Sequence, residues 1–569
     1  MLLLALLLLA CSTPGEECDD PRPQGDGGTA GDGGTGDGGG TAADGGTTGD
    51  GGGTTGDGGG TGGDGGGGDD TGEPPPVLDG EATVTPGVGN PHMATVTLTL
   101  DHDATAWVEY GEVLPSGRTT PPVEVHAGEA TELLVLGLKA GLDYTLVAHA
   151  EVDGAAWQGD ELTVSVPPLA DGFQRCVAST YADRHDPDEV YCTNGTTSTS
   201  RTFFCVDHQG DVVYQLASQP DELLYSTHPL SDGRWAAVST TSDLLTLFDE
   251  KGEVVAEYRT SWFDGKTTWE HQWIDNHEVI ELTDGPWAGA LAFVTNSVEW
   301  VPGMGEAVGQ GIIVFDPDAR EVLWDWSSTG DLGDGVPGDP LLDYARTGYG
   351  GYQWDFGHGN ALAHRVEDDG GEVFWLSLRA QDWIVAVDVE DEAIRWRFGR
   401  DGDFTLVHSI DDAESEERSV REWMYGQHDV RFRQHVGSRT QFTVFDNGYY
   451  RHEDGGGWAP NYSRAVEYRL DEDSMRAALI FEYGPRRESD AEYLYAWGMG
   501  GVMVLQDEAR IAWSSGYGLG NGWNGPFLRE VSYPDGELLW SLDCVDYGDG
   551  FYRVWWFPSL YERDWWVRP

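Results

Sequence analysis

Residues 314–324, VFDPDAREVLW, show the pattern that decides the fold: a short apolar strand, an acidic turn and a second strand ending in an aromatic residue. The pattern occurs six times between residue 172 and residue 569, at spacings of about 42 to 83 residues. Repeated hairpins of this kind close the outer edges of four-stranded blades, so six copies predict a six-bladed β-propeller over 172–569. The other five copies are 204–214 (FCVDHQGDVVY), 247–255 (LFDEKGEVV), 386–396 (AVDVEDEAIRW), 467–474 (EYRLDEDS) and 531–540 (VSYPDGELLW).

Residues 76–168 carry a second β pattern, in which apolar and polar residues alternate over short runs such as 94–100 and 106–111. Alternation with frequent turns is typical of a β-sandwich. The stretch 136–144, LGLKAGLDY, resembles the tyrosine corner of fibronectin type III domains. We therefore expect a fibronectin type III or Ig-like sandwich at 76–168, acting as a spacer or docking face. Long helical periodicity is absent, so the predicted fold class is all-β.

Residues 1–10, MLLLALLLLA, form an apolar run that is too short to span a bilayer, which needs about 20 residues. The run leads into Cys11 as Leu8-Leu9-Ala10-Cys11, which resembles the lipobox of bacterial lipoproteins. The resemblance implies a lipoprotein signal peptide at 1–10, acylation of Cys11 and sorting to the outer membrane. The alternative is an ordinary secretory signal peptide followed by an incidental cysteine.

Residues 11–75 are rich in Asp, Gly and Thr and have almost no apolar side chains. Such a segment cannot bury enough surface to fold, so we expect a disordered linker that self-repulsion extends. Together with a lipid anchor at Cys11, it predicts a bacterial cell-envelope protein, held at the outer membrane or on the periplasmic side.

The charge balance, 99 acidic against 33 basic residues and a net charge of −66, excludes several partners. A chain this negative repels DNA, RNA and anionic lipid, so we expect no nucleic-acid partner and membrane contact through the lipid anchor only. The sequence indicates no oligomeric state.

The cysteines are predicted to be structural, because no pair has the spacing of a zinc site. An exported chain can form disulfides. Cys176 with Cys192 is one plausible local bridge, and Cys205 with Cys544 would tie the first blade to the last. Five cysteines remain after Cys11, an odd number, and the sequence leaves their connectivity open.

Four repeats place a histidine at a similar point, just before or within the predicted inner strand of a blade: His228, His277, His358 and His428. In a fifth repeat, Trp497 stands where the histidine would be. Equivalent positions on inner strands converge on the axis of a propeller, and convergent titratable groups mark functional sites. We therefore expect these histidines to face one funnel.

At this point the sequence resembles a known family, the bacterial arylsulfotransferases that do not use PAPS as donor. The motifs that carry the resemblance follow one another in the family's order over about 300 residues. They are 355–360 (DFGHGN), 377–379 (SLR), 394–399 (IRWRFG), 427–429 (QHD), 445–448 (FDNG), 462–465 (YSRA) and 552–554 (YRV).

The resemblance implies a six-bladed propeller and assigns roles to individual residues. His428 matches the histidine that accepts the sulfuryl group, and His358 and Arg379 match the residues that hold the sulfate. His277 is the preferred choice for the remaining histidine, with His271 as its rival. His228 is predicted to belong to a noncatalytic blade.

The function that follows is transfer of a sulfuryl group from an aryl sulfate to a phenol, in a ping-pong reaction through sulfohistidine at His428. A neutral imidazole is a competent nucleophile, and a guanidinium suits a tetrahedral anion. No cofactor or metal is expected. Trp354, Trp383 and Trp423 are candidates for contact with the aryl ring, although each is more readily explained as core.

Two alternatives remain open. One is a metal site formed by several histidines, which a neighbouring arginine disfavours. The other is a noncatalytic cell-surface propeller that binds a glycan or a protein partner.

Overall fold

The computed structural model of this chain is almost entirely β-sheet, which confirms the predicted all-β, propeller-like fold. Among the helices that it describes, none is both long enough and apolar enough to cross a membrane. The predicted signal peptide, Cys11 and the linker at 11–75 lie outside the described residues. These are 78–170, 173, 175–182, 186–196, 201–216, 224–239, 243–269, 271, 273–301, 305–328, 354–355, 357–449, 451, 461–484, 495–505, 509–518, 526–545 and 550–562.

Eight strands between residues 80 and 165 form two sheets that enclose one apolar core. The first sheet has the order β1-β2-β5, and the second has the order β4-β3-β6-β7 with β8 also paired to β6. Tyr144 is buried, and its hydroxyl accepts the backbone N–H of Lys139 at 2.9 Å, which is the hydrogen bond of a tyrosine corner. The strands are β1 (Gly80–Pro86), β2 (Ala94–Leu100), β3 (Ala104–Gly111), β4 (Val123–Val125), β5 (Ala130–Val135), β6 (Asp143–Val152), β7 (Ala155–Gln158) and β8 (Leu162–Ser165).

The rest of the chain forms six further sheets in its described part, which we call blades 1 to 6 in chain order. The strand β9 (Arg175–Thr180) comes before these blades in the sequence but pairs with blade 6. Blade 1 contains β10 (Val190–Thr196), β11 (Arg201–Asp207) and β12 (Val212–Gln215). Blade 2 contains β13 (Leu224–Pro229), β14 (Trp235–Ser239), β15 (Leu244–Phe248) and β16 (Val254–Arg259), and is followed by the short helix α1 (Thr260–Phe263). Blade 3 contains β17 (Trp273–Glu281), β18 (Leu291–Val301), β19 (Gly305–Asp316) and β20 (Glu321–Ser327), with β21 (Trp354–Asp355) paired to β19.

Blades 4 to 6 follow the same plan, in which four antiparallel strands run from the inner to the outer edge. Blade 4 contains β22 (Gly359–Val366), β23 (Glu372–Leu378), β24 (Trp383–Asp388) and β25 (Ala393–Gly399), with a 3-10 turn at Arg379–Gln381. Blade 5 contains β27 (His428–Val436), β28 (Arg439–Asp446), β29 (Arg464–Asp471) and β30 (Arg476–Tyr483), preceded by β26 (Thr405–Val407) and a 3-10 turn at Val420–Glu422. Blade 6 contains β31 (Ala496–Val504), β32 (Arg510–Gly518), β33 (Phe527–Ser532) and β34 (Leu538–Val545), and the last strand of the chain is β35 (Trp555–Phe557).

The six repeated stretches are the hairpins that join the third strand of each blade to the fourth. In each hairpin the strand register shifts just before the turn, for instance between Val314 and Phe315 in blade 3. Asp316 then caps its own turn, because its carboxylate accepts the backbone N–H groups of Asp318 and Ala319. The recurring strand, acidic turn and aromatic strand end of the sequence are therefore one repeated local structure.

The strands from the two ends of this region complete the first and the last blade. β35 is the innermost strand of blade 1, whereas β9 is the outermost strand of blade 6. The disulfides are Cys176–Cys544, which links β9 to β34, and Cys192–Cys205, which links β10 to β11. The predicted pairs were wrong, because each cysteine bonds to the residue directly opposite it on the neighbouring strand, which sequence spacing does not disclose.

The sandwich packs against the hairpins of blades 1 and 2. Lys139 forms ion pairs with Asp207 and Asp211 in the first hairpin, at 2.8 and 2.7 Å. Met93 and Leu136 are buried in the same apolar cluster as the strands of blade 1. The predicted docking face of the sandwich is therefore occupied by the chain's own propeller.

Candidate active site

The predicted site histidines His277, His358 and His428 lie at or near the starts of inner strands, and the backbone is irregular there. The register of β22 shifts between Gly359 and Ala361, that of β27 between His428 and Arg431, and that of β17 between Ile274 and Val279. Such β-bulges re-aim side chains beside active sites.

Three residues at these strand starts have left-handed backbone conformations that are unusual outside glycine. They are His358 (φ 52°), Asp429 (φ 57°) and Met499 (φ 63°), on blades 4, 5 and 6. Non-glycine residues in this conformation cost free energy and persist where the surrounding structure holds them, which is common at functional sites.

His428 is held by two neighbours that fix the position of its ring proton. Its Nδ1 lies 2.8 Å from Oδ1 of Asn447, and the Asn447 amide nitrogen donates to the carbonyl oxygens of Ala496 and Met499. Because the amide is thus oriented, Oδ1 faces His428 and Nδ1 must carry the proton. Nε2 therefore carries the lone pair, toward which the backbone N–H of Met499 points at 3.1 Å.

The surroundings of His428 also keep its ring neutral. The side chain is only 2% exposed, and burial lowers the pKa of its imidazole well below the usual value. The positive charges of Arg379 and Arg553 and the neighbouring His277 lower that pKa further, whereas the hydrogen bond with Asn447 opposes them. The neutral, nucleophilic form of His428 is therefore the one present at neutral pH.

His277 and His358 lie together on the inner faces of blades 3 and 4. Their ring centroids are 4.8 Å apart in an edge-to-face arrangement. Tyr552 packs between His277 and His428, with ring centroids 6.0 and 6.3 Å away. The structure thus brings together three of the four repeat histidines, on three successive blades.

Arg379 begins a 3-10 turn directly after β23, and this turn is tied to the loop that carries His358. The backbone N–H of Arg379 donates to the His358 carbonyl at 3.1 Å. A guanidinium nitrogen of Arg379 donates to the carbonyl of Trp497 at 2.9 Å, and the guanidinium lies 5.0 Å from the centroid of Tyr449. Arg379 is near enough for its charge to lower the pKa of His428.

A cluster of buried ion pairs lies beside the site residues. Arg553 pairs with Glu278 at 2.6 Å and with Asp429 at 3.4 Å, and it also donates to the Asn360 carbonyl at 2.7 Å. Arg431 pairs with Asp429 at 2.9 Å. The cluster joins blades 3 and 5 to the C-terminal segment, so it fixes the inner strands relative to one another.

His228 and His271 are not part of the histidine cluster. His228 is buried edge-on against Trp555, and burial, followed by the charges of Arg431 and Arg553, lowers its pKa to about 3. The Nδ1 atom of His271 lies 2.6 Å from the Thr295 hydroxyl, and its Nε2 lies 3.2 Å from Asp325. His277, not its rival His271, therefore faces His358.

A cavity of about 360 Å³ lies beside His271, on the loop after blade 2. Gly265 and Thr267 line it, and with Lys266, which does not, they match the last three residues of a phosphate-binding loop. Position 260, where that motif needs its first glycine, holds a threonine, and Lys266 lies 4.0 Å from the ring centroid of Trp262. The cavity thus lacks the features of a nucleotide phosphate site.

The tryptophans singled out by the sequence do not form an aryl pocket. Trp383 is fully buried and Trp423 is 8% exposed, and both belong to blade cores. The Trp354 side chain lies outside the described residues. Less buried aromatic side chains near the site are instead Tyr225 and Trp497, at the starts of β13 and β31, and Tyr449, which follows β28. Trp497 is 41% exposed.

Sequence reasoning missed Asp275, Asn296, Gln310 and Glu278, all of which lie on the inner strands of blade 3. The available signal was polar residues within otherwise apolar strands, such as the WIDNHEVIE run of β17. In the described part of the chain, no group of His, Cys, Asp and Glu has the arrangement of a metal site.

The fold and the site define a propeller-like protein that gathers three imidazoles and a guanidinium at its inner strands. The sequence profile of the arylsulfotransferase (ASST) family matches residues 177–524. Because this match covers more than half of the chain, the chain belongs to the arylsulfotransferase family, whose activity is aryl sulfotransfer. No curated protein matches it.

Several solved structures are similar to this chain at low identity. A protein of unknown function from Bacteroides caccae has a TM-score of 0.36 at 10% identity, covering 64% of this chain and 98% of its own. Virginiamycin B lyase from Staphylococcus aureus has a TM-score of 0.28 at 9% identity, covering 65% and 100%. Hydrazine synthase from Kuenenia stuttgartiensis has a TM-score of 0.28 at 9% identity, covering 55% and 70%.

Proposed function

We propose that this protein transfers a sulfuryl group from an aryl sulfate to a phenol through a covalent sulfohistidine at His428. The observation that carries the proposal is the state of His428: its proton is fixed on Nδ1 by Asn447, and its ring is kept neutral by burial and nearby cations. A neutral imidazole with a directed lone pair is a nucleophile, not a structural cation.

In the first half-reaction, Nε2 of His428 attacks sulfur while the bond between sulfur and the aryl oxygen breaks. The bonding electron pair leaves with the phenolate, which takes up a proton. In the second half-reaction, a phenol oxygen attacks sulfur and loses its proton, and the pair of the nitrogen–sulfur bond returns to Nε2. Charge on the transferred group is spread over its oxygens, as in phosphoryl transfer.

Arg379 and His358 would hold the sulfate oxygens, because the same turn positions both residues. The N–H of Met499, now directed at Nε2, would face a sulfuryl oxygen once the nitrogen–sulfur bond has formed. A cationic site of this kind attracts an anionic substrate into a protein whose net charge is −66.

The direct test is release of p-nitrophenol from p-nitrophenyl sulfate with phenol as acceptor. We expect turnover by the wild-type protein and a loss of about 10³-fold or more in His428→Asn, because the nucleophile is removed. His408→Asn, at an exposed histidine outside the site, should keep wild-type turnover. Alkaline quenching during turnover should leave His428 with the added mass of one sulfuryl group.

Absence of turnover in the wild-type protein, or equal turnover in His428→Asn, would contradict the proposal. The noncatalytic propeller that binds a glycan or protein partner would then be the better explanation.

We also propose that the chain is exported and tethered to the cell envelope through acylated Cys11. Two disulfides among the described residues support export, because such bonds persist in oxidising compartments. Membrane fractions should contain the wild-type protein, and Cys11→Ala should move it to the soluble fraction. Equal partition of both proteins would contradict the anchor.

A further inference from the structure

Asp275 and His277 form a buried acid–imidazole pair at the irregular start of β17. The carboxylate of Asp275 contacts Nδ1 of His277 and also accepts the backbone N–H of His277 at 2.9 Å. Nδ1 of His277 therefore donates to a fixed acceptor, and Nε2 is left for another partner. Among the described residues, the structure gives Nε2 no hydrogen-bond partner.

The second oxygen of Asp275 is held by a chain of amides that crosses blade 3. The Asn296 amide nitrogen donates to Asp275, the Gln310 amide nitrogen donates to Asn296 Oδ1 at 3.1 Å, and Gly359 N–H donates to Gln310 Oε1 at 2.8 Å. Gly359 directly follows His358. One network thus orients the carboxylate behind His277 and the backbone beside His358.

The charge of Asp275 is preserved although its side chain is buried. Burial alone raises the pKa of a carboxyl group, but His277, the Asn296 hydrogen bond and the charge of His358 together lower the pKa of Asp275 below its usual value. An ionised carboxylate at this position stabilises a protonated His277.

We propose that Asp275 is a positioning residue that makes His277 the proton donor and acceptor of the reaction. This inference rests on the proposed sulfuryl transfer. As the sulfur–oxygen bond breaks, Nε2–H of protonated His277 gives its proton to the leaving phenolate oxygen, and His277 becomes neutral with Nδ1–H still bonded to Asp275. In the second half-reaction, Nε2 takes the proton of the attacking phenol, so Asp275 never changes its protonation state.

The geometry favours His277 over His358 for this role. His358 is held through its backbone, whose carbonyl accepts from Arg379 N–H, and it is placed to contact the sulfate beside that arginine. The His277 ring carries the Asp275 carboxylate on Nδ1, which is the arrangement that a proton donor and acceptor needs. The titratable groups that face His277 are Asp275, Tyr225, His358, Tyr552 and, through its charge, His428.

The test compares two donors whose leaving groups differ in basicity. Phenolate, whose conjugate acid has a pKa of about 10, needs protonation more than the less basic p-nitrophenolate. In Asp275→Asn, we expect kcat to fall about 100-fold with phenyl sulfate but less than about tenfold with p-nitrophenyl sulfate.

The ratio of the two rates does not depend on how much of the variant is folded, so partial misfolding leaves the test intact. Asn296→Ser keeps the Asp275 carboxylate but removes the amide that holds its second oxygen. It should therefore change the ratio of the two rates in the same direction by a smaller factor. Asp325→Asn is the matched control, since it removes the other carboxylate–histidine pair of blade 3 and should leave the ratio unchanged.

Wild-type turnover with an unchanged ratio in both Asp275→Asn and Asn296→Ser overturns the role of Asp275 alone. No wild-type turnover with either donor overturns the sulfuryl transfer as well. A changed ratio in Asp325→Asn also overturns the proposal, because a general disturbance of blade 3 would then explain the effect.

Discussion

Blade 3 contains two buried acid–imidazole pairs that differ in what surrounds them. His277 with Asp275 lies beside His358 and Tyr552, and no described residue bonds its Nε2. His271 lies in the loop before β17 and pairs with Asp325 on β20. Its two ring nitrogens contact the side chains of Thr295 and Asp325. The two pairs therefore differ in Nε2: neighbouring side chains already contact both ring nitrogens of His271, whereas Nε2 of His277 is left for a substrate.

The carboxylates differ in the same way. Asp325 accepts the backbone N–H groups of Thr268 and Trp269, each at 2.8 Å, so it fastens the loop before β17. Asp275 instead joins the amide chain that leads to the strand after His358. One pair therefore holds the backbone of a loop, and the other orients a ring within the site.

The largest difference should appear in turnover. His277→Gln is expected to lower kcat for phenyl sulfate by about 10² to 10⁴-fold, the usual contribution of general acid–base catalysis. His271→Gln should stay within about threefold of the wild-type rate, because Gln still reaches Asp325. The measurement is the initial rate of each variant, on protein whose circular dichroism is native. An equal loss of kcat in His277→Gln and His271→Gln would contradict the difference between the two pairs.

A smaller effect is expected in stability, where the order of the two pairs reverses. Asp325→Asn replaces an acceptor of three hydrogen bonds by an amide with a single acceptor oxygen. We expect it to lower the free energy of unfolding by about 1 to 3 kcal/mol, and His277→Gln to lower it less. Urea unfolding at pH 7 followed by tryptophan fluorescence measures both, and a more stable Asp325→Asn than His277→Gln would contradict the assignment.

The smallest effect concerns His228, a buried histidine outside both pairs, whose pKa in the folded protein is about 3. The unfolded chain binds a proton at this residue near pH 6.5 and the folded chain does not, so stability is lost as pH falls below 6.5. Between pH 7.5 and 5.5 the loss from this group is about 1.4 kcal/mol. His228→Leu should flatten the pH dependence of unfolding by that amount, and an unchanged slope would show that His228 takes up its proton while folded.

The sequence predicts the fold well because its signals are local. Each hairpin encodes its own strand, capped turn and aromatic strand end, so the pattern around Asp316 needs no distant partner. His277, His358, Arg379 and His428 were predicted through the repeat and the family motifs, and the structure brings the three imidazoles together. Their chemical roles stay predictions until the kinetic measurements are made.

The remaining features depend on which strands become neighbours. Cys176 bonds to Cys544 because β9 joins blade 6, a pairing across 368 residues that local pattern cannot supply. Asp275 is one of three acidic residues in β17, and its role emerges only when Asn296 and Gln310 align on the next two strands. The buried positions of Trp383 and Trp423 likewise follow from sheet packing rather than from sequence proximity to a motif.

The late entry of β35 into blade 1 has a consequence for biosynthesis. Tyr552 and Arg553 immediately precede this strand, and Tyr552 touches two histidines of the site while Arg553 bridges blades 3 and 5. A nascent chain that stops before residue 552 therefore lacks both the ring that touches His277 and His428 and the guanidinium that joins blades 3 and 5. If the proposed sulfuryl transfer is correct, such a chain should be inactive until these two residues have been added.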